Sequence, residues 1–222
     1  AVPALSYHLE GFVNDENASV LEVVPLIQTN AVKTSSSGDY PITVFGGVAG
    51  NYSFDYQPAT LVISGAVSQV DFVSELNATY GDDPTDMDSN TSSGLLLTYE
   101  SSEPGVIEVN GTSLIVRGAG VALVTATQEE SENYLPLSED EATVTVRVAK
   151  AVLKIIAQDA SKAYLEPMPE LTYLLEGFVN DENASVLDES PQFETNATAA
   201  SPTGTYAIAV SGGAADDYDF QY

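Results

Sequence analysis

The residues of this chain that could act as acids, bases, nucleophiles or metal ligands are almost all carboxylates. There are 33 Asp and Glu residues, one histidine, His8, and no cysteine. A nucleophile or general base needs a partner within hydrogen-bond reach. One histidine cannot assemble a Ser-His-Asp set or a histidine metal cluster, and neither a Walker loop nor a dinucleotide fingerprint is present. Acidic pairs occur throughout, so two carboxylates close together in sequence carry almost no information about glycosidase-like chemistry. The chain reads as non-enzymatic, with no catalytic or cofactor-binding residue to assign.

Three other patterns point to binding or modification. Asp82, Asp83, Asp86, Asp88 and Asn90 share one acidic stretch, and Asp86, Asp88 and Asn90 have the spacing that opens a calcium loop. Thr91 stands in place of the loop glycine and Leu97 in place of the bidentate acid, which excludes an EF-hand. An irregular Ca2+ site is left, against the plain alternative of a solvated acidic loop. The rows Tyr52, Phe54, Tyr56 and Tyr218, Phe220, Tyr222 could stack on sugar rings, as in a carbohydrate-binding module that takes surface glycans, or could pack between strands. Asn17, Asn51, Asn77, Asn90, Asn110, Asn183 and Asn196 are followed by the Ser/Thr pattern of N-glycosylation. About two of the eleven asparagines would fall there by chance, so the excess makes a glycoprotein reading available, with Asn51, Asn90 and Asn110 expected on turns.

The charge balance limits the partners. A formal net charge of −27 repels nucleic acid and anionic lipid over the whole surface, so neither is expected to bind. Salt screening weakens the self-repulsion, which suits a salty medium. No apolar run approaches the roughly 20 residues needed to cross a bilayer, and none reads as a signal peptide, so this segment is not expected to insert in a membrane. With 44% apolar residues, the 222-residue chain can bury a core in two or three domains. Without cysteine, packing alone must hold them.

An internal repeat sets the organisation. Residues 9–21 read LEGFVNDENASVL, and residues 175–187 repeat the same letters at an offset of 166 residues. The offset also pairs Pro3 with Pro169, Tyr7 with Tyr173, Pro25 with Pro191, Tyr40 with Tyr206 and Tyr52 with Tyr218, without insertion, and ends at Tyr56 and Tyr222. His8 pairs with Leu174, which reads as a strand-surface exchange. The first copy has no counterpart of residues 151–164, and the second none of residues 57–64. Both copies therefore read as cut mid-module, a window out of phase with a longer array. Strand donation between neighbouring chains is the alternative.

Period-two alternation predicts strands over residues 40–44, 52–56, 143–148 and 206–210. In the second copy the predicted order is strands over 154–159 and 171–178, a short helix over 183–187, and strands over 192–196, 206–211 and 218–222. The counterpart of that helix, residues 15–21, is predicted to be capped by Asn14 or Asp15. Turn signals about every ten residues between 66 and 148 predict a sandwich. The predicted class is mostly β: residues 1–65 a module lacking its first strand, 66–149 a β-sandwich, and 150–222 a module lacking its last strand.

The run Lys162-Ala163-Tyr164, then Pro169-Glu170-Leu171-Thr172-Tyr173, Leu175-Glu176-Gly177-Phe178-Val179, Gly204-Thr205-Tyr206-Ala207-Ile208 and the Gly212-Gly213 turn resembles the MBG-type repeat modules of bacterial surface adhesins. Leu165 departs from the resemblance, because that family usually has glycine after the tyrosine. The resemblance implies a small β-grasp-like sheet with one short helix and no catalytic residues. The middle segment, with Tyr80-Gly81-Asp82 near its start, is similar to the bacterial immunoglobulin-like modules that accompany such repeats. Together these imply an extracellular, cell-surface tandem repeat acting as stalk or spacer of an adhesin. Its partners would be neighbouring repeats of the same chain or copies of itself. A self-assembling filament or sheath subunit is the alternative.

Overall fold

The computed structural model describes residues 2–138 and 142–222, whose regular secondary structure is nearly all strand. In chain order the first strands are β1 (Leu26–Thr29), β2 (Gly38–Phe45), β3 (Ala59–Ile63), β4 (Ala66–Val67), β5 (Glu75–Thr79) and β6 (Thr85–Asp86). Then come β7 (Leu97–Ser101), β8 (Ile107–Asn110), β9 (Ser113–Val116), β10 (Gly120–Gln128), β11 (Tyr134–Leu135) and β12 (Thr143–Ala149). The last are β13 (Ala151–Ala157), β14 (Tyr173–Glu176), β15 (Gln192–Glu194), β16 (Ala209–Ser211) and β17 (Tyr218–Gln221). No helix among the described residues is long and apolar enough to cross a membrane.

The chain divides into two compact units, Ala1–Ser68 with Glu130–Pro136, and Gln69–Glu129 with Leu137–Tyr222. In the first, β1, β2 and β3 form an antiparallel sheet with β2 in the middle, and β4 pairs in parallel with β11. The predicted alternation of Tyr40, Ile42 and Val44 appears as half-buried positions on β2. Little is buried here: among the described residues of this unit only Pro25, Ala31 and Ser68 are.

The second unit holds a continuous core. A four-stranded sheet, β5-β12-β10-β7, shares its apolar side with the three-stranded sheet β6-β9-β8. Val124, Val144 and Val146 from the first sheet cluster with Ile107 and Leu114 from the second. The outward Thr143 and Thr145 alternate with these valines, as the period-two pattern predicts. The same cluster continues past Lys150 through Ala151 and Leu153 to Ala215 and Tyr218 in the second repeat copy. There β13 lies between β14, antiparallel, and β17, parallel.

The helix prediction needs correction. Asn14 and Asp15 have φ of 55° and 59°, as Asn180 and Asp181 have 55° and 58°, so they cannot start a right-handed helix. They form a tight turn closed by the Glu16 N–H donating to the Val13 carbonyl at 3.1 Å, a conformation that Asn and Asp tolerate. Within these two stretches only the single 3₁₀ turns Ala18–Val20 and Ala184–Val186 are helical, and their caps are Asn17 and Asn183, whose Oδ1 accepts the N–H two residues on.

Equivalent segments, alike in part of their sequence, take different structures in the two copies. Residues 173–176 form β14, yet residues 7–10 are irregular; residues 218–221 form β17, yet residues 52–55 are irregular. Both strands of the second copy owe their ladders to β13. Conversely, β3 pairs with Gly38–Ile42 of β2 in the first copy, whereas in the second the predicted strand 206–211 shortens to Ala209–Ser211. An edge without a partner leaves its backbone groups to water.

Leu153 on β13 is fully buried. Replacing Leu153 by Ala is expected to lower the unfolding free energy of the second unit by about 2–5 kcal/mol, measured by urea denaturation, through loss of burial and the cavity left behind.

Candidate functional site

The most elaborated polar constellation in the molecule is built on a turn, a carboxylate and two tyrosines, all within the second unit. The Asn180-Asp181 turn projects Glu182 back toward the core, where its two oxygens accept from two phenols. Tyr80 donates to Oε1 at 2.7 Å and Tyr218 donates to Oε2. The Tyr218 oxygen also accepts the Val179 N–H at 3.0 Å. The rings of Tyr80 and Tyr218 meet edge to face, with centroids 5.7 Å apart, and Phe178 packs on Tyr218 in the same manner.

Gly81 lets the Tyr80 turn come this close. Its φ is +95°, and a Cβ there would lie 2.5 Å from that of Val179. Asp217 completes the joint: its Oδ1 accepts the Ala119 N–H at 2.6 Å, while its carbonyl accepts from Ala151 at 2.9 Å. Burial, followed by the hydrogen bond to Glu182 and its negative charge, pushes the Tyr218 phenol up to about 12. The same causes raise Tyr80. Burial, with the charge of Asp88, pushes Tyr99 up to about 12. Every one of these shifts keeps a phenol protonated as a donor. The arrangement is a clasp, in which each oxygen of the Glu182 carboxylate accepts from one phenol.

Two cavities accompany the unpaired strands. One of about 370 Å³ lies in the first copy among Leu9, Phe12, Ile42, Val44, Phe54 and their neighbours. Another, of about 690 Å³, lies in the second copy beside residues 204–208 and Tyr164.

The acidic stretch singled out in the sequence is dispersed. Asp82 Oδ2 accepts the Thr79 N–H at 2.7 Å, Asp86 accepts from the Ser113 hydroxyl across the β6–β9 ladder, and the Asp88 carbonyl accepts from Tyr99 at 2.7 Å. Asn90 donates to the Gly94 carbonyl at 3.1 Å, and Asp83 is exposed. Among the described residues no group of three or more acidic or histidine side chains is disposed to hold a metal.

The asparagines at 17, 51, 77, 90, 110, 183 and 196 are all exposed. Asn51 sits on a turn as expected, but Asn90 forms an isolated bridge with Leu96 and Asn110 ends β8. His8 is exposed on an irregular segment. The aromatic rows turn inward in the first copy: Tyr52, Phe54 and Tyr56 are half-buried, and Tyr56 accepts the Gly47 N–H at 2.8 Å. In the second copy Tyr218 is buried and Tyr222 is exposed.

Sequence reasoning missed Glu182 as a shared acceptor. The available signal was the paired retention of Glu16 with Tyr52 and of Glu182 with Tyr218, each 36 residues apart, following an Asn-Asp dipeptide. Leu165 carries a second surprise. It occupies the third position of a turn closed by the Glu166 N–H on the Ala163 carbonyl at 3.2 Å, with φ of 65° and an exposed side chain. That position of a tight turn calls for glycine.

A family profile described as MBG domain (YGX type) matches residues 1–62 and 153–222. No curated protein matches the chain.

Replacing Leu165 by Gly is expected to raise thermal stability, relieving a left-handed penalty of about 1 kcal/mol, and a lowered melting temperature would contradict this. The clasp also has a pH signature. A phenol whose folded pKa is raised stabilises the fold fully below the ordinary tyrosine value of about 10 and ceases to do so as pH climbs through the folded value of about 12. Denaturation midpoints are expected to fall across that window, and Tyr218→Phe to flatten part of the fall.

Proposed function

Because this chain belongs to the MBG domain family, YGX type, we propose that it is a stalk or spacer segment of a long extracellular protein of the cell surface, an adhesin whose distal tip it holds away from the cell. MBG repeats are a structural, non-enzymatic domain type found in surface adhesins. The observation that carries the reading is the recurrence of one module at a 166-residue offset, thirteen residues of it letter for letter, with a different β segment between the copies. Repetition of a packing unit multiplies length, which suits reach.

In this proposal residues 1–65 and 150–222 are MBG modules, and residues 66–149 form a bacterial immunoglobulin-like module. The shared core of β5-β12-β10-β7 with β6-β9-β8 supports a two-sheet module there. The net charge of −27 favours solvation outside the cell and keeps parallel fibres apart. Half-buried rings with hydrogen-bonded hydroxyls give the sugar-binding reading little support.

Electron microscopy of the intact gene product tests the proposal. Modules about 35 Å long, from strands near ten residues at roughly 3.3 Å per residue, give a thin thread with an axial period of about 70 Å. A much shorter axial repeat means side-by-side assembly into a filament wall, and a compact globule with a deep cleft ends the stalk reading altogether.

A further inference from the structure

The same backbone pairing carries opposite surface chemistry in the two copies. Leu26 pairs with Phe45 across β1 and β2, and Val23 forms an isolated bridge with Val48. At the 166-residue offset Gln192 pairs with Ser211, and Glu189 bridges Ala214. All of these residues are exposed, as are Val24 and its counterpart Ser190. The second copy fills the exposed positions mostly with polar side chains, as solvent dictates. The first presents Val23, Val24, Leu26, Phe45 and Val48 there, with Leu26 61% and Phe45 40% exposed.

This face lies away from the 370 Å³ cavity. Ile27 and Val44, next along the strands from Leu26 and Phe45, line that cavity on the other side of the sheet. Nor does a preceding segment cover such a face. The second copy has one, the central segment of the same compact unit, and its Glu189, Gln192 and Ser211 stay exposed. Charge follows the same division. Residues 23–32 and 40–54 contain no charged side chain, whereas their counterparts 189–198 and 206–220 contain Glu189, Glu194, Asp216, Asp217 and Asp219. A cationic partner would be drawn by those five acids. A partner as acidic as this chain, at −27, is admitted only where they are missing.

We propose that the outer face of β1, with the adjoining end of β2, is a contact between two copies of this chain, packed face to face about a two-fold axis with Leu26 and Phe45 of each at its centre. A two-fold contact uses one patch twice, so the patch must complement itself in charge as well as in shape. A neutral, apolar face meets that condition. The acidic counterpart in the second copy sets like charges against each other and fails it. Neighbouring chains are then tied at their first copies and held apart by repulsion elsewhere. The inference goes beyond the stalk reading and does not depend on it.

Sedimentation velocity of the full 222-residue chain tests this. A monomer–dimer equilibrium is expected, tightening as sodium chloride rises from about 0.05 to about 0.5 M, because screening removes the repulsion between acidic bodies and leaves the apolar contact. Leu26→Gln with Phe45→Ser gives the first copy the residues that the same backbone pairing carries in the second. This double variant is expected to keep its far-UV circular dichroism and to dimerise at least about tenfold more weakly. Val24→Ser alone, read if the double variant unfolds, is expected to weaken dimerisation by a smaller factor. Gln192→Ala with Ser211→Ala, in the second copy, is expected to leave it unchanged. A chain that stays monomeric at every salt concentration, a dimer that the first-copy variants leave intact, or one that dissociates as salt is raised overturns the proposal. Each of those results leaves the stalk reading standing, since the axial period does not depend on this face.

Discussion

A β-strand persists only where a neighbouring backbone answers its N–H and C=O groups, and in this protein β13 answers for two strands at once. The repeat makes this visible as a natural comparison. Leu9 and Glu10 have the same identities as Leu175 and Glu176, yet only the latter pair is strand. Ala49 and Tyr52 are half-buried, while Ala215 and Tyr218 are buried. At these four positions the residue is the same in both copies, so tertiary context contributes to the difference. Leu153 supplies both the ladder and the apolar centre around which Tyr218 and Ala215 close.

That dependence explains which parts of the fold were legible. Thr143, Thr145 and Arg147 alternating with valines is a pattern with one solution, and β12 adopts it. The repeat and its offset are letters on the page. The boundaries of residues 171–178 and 206–211 were overestimated because strand length there is set by the partner strand, β13 for β14 and β15 for β16, rather than by the residues themselves. The helix over 15–21 failed differently. Asn and Asp favour caps and left-handed turns by the same short polar side chain, and at Asn14-Asp15 the turn prevailed.

The clasp was illegible for a related reason. Tyr80 lies 102 residues from Glu182, and no local pattern announces such a contact. The acidic stretch from Asp82 to Asn90 illustrates the converse. Its spacing is suggestive in one dimension, but β6 pairing, the Thr79–Asp82 turn and the Asn90 bridge send its side chains to separate partners. Carboxylates act here chiefly as acceptors for turns and phenols. Without cysteine, the joint at Glu182 does by hydrogen bonding and ring packing what a cross-link does elsewhere.

Only Lys150 separates β12 from β13, and each strand is paired on both sides within its own sheet. Tension transmitted along the polypeptide at this point therefore acts along the axes of both strands, drawing them apart lengthwise. Lengthwise sliding strains the flanking ladders together, whereas peeling would break their bonds one at a time. A pull on the chain at Lys150 therefore loads the ladders that flank β12 and those that flank β13.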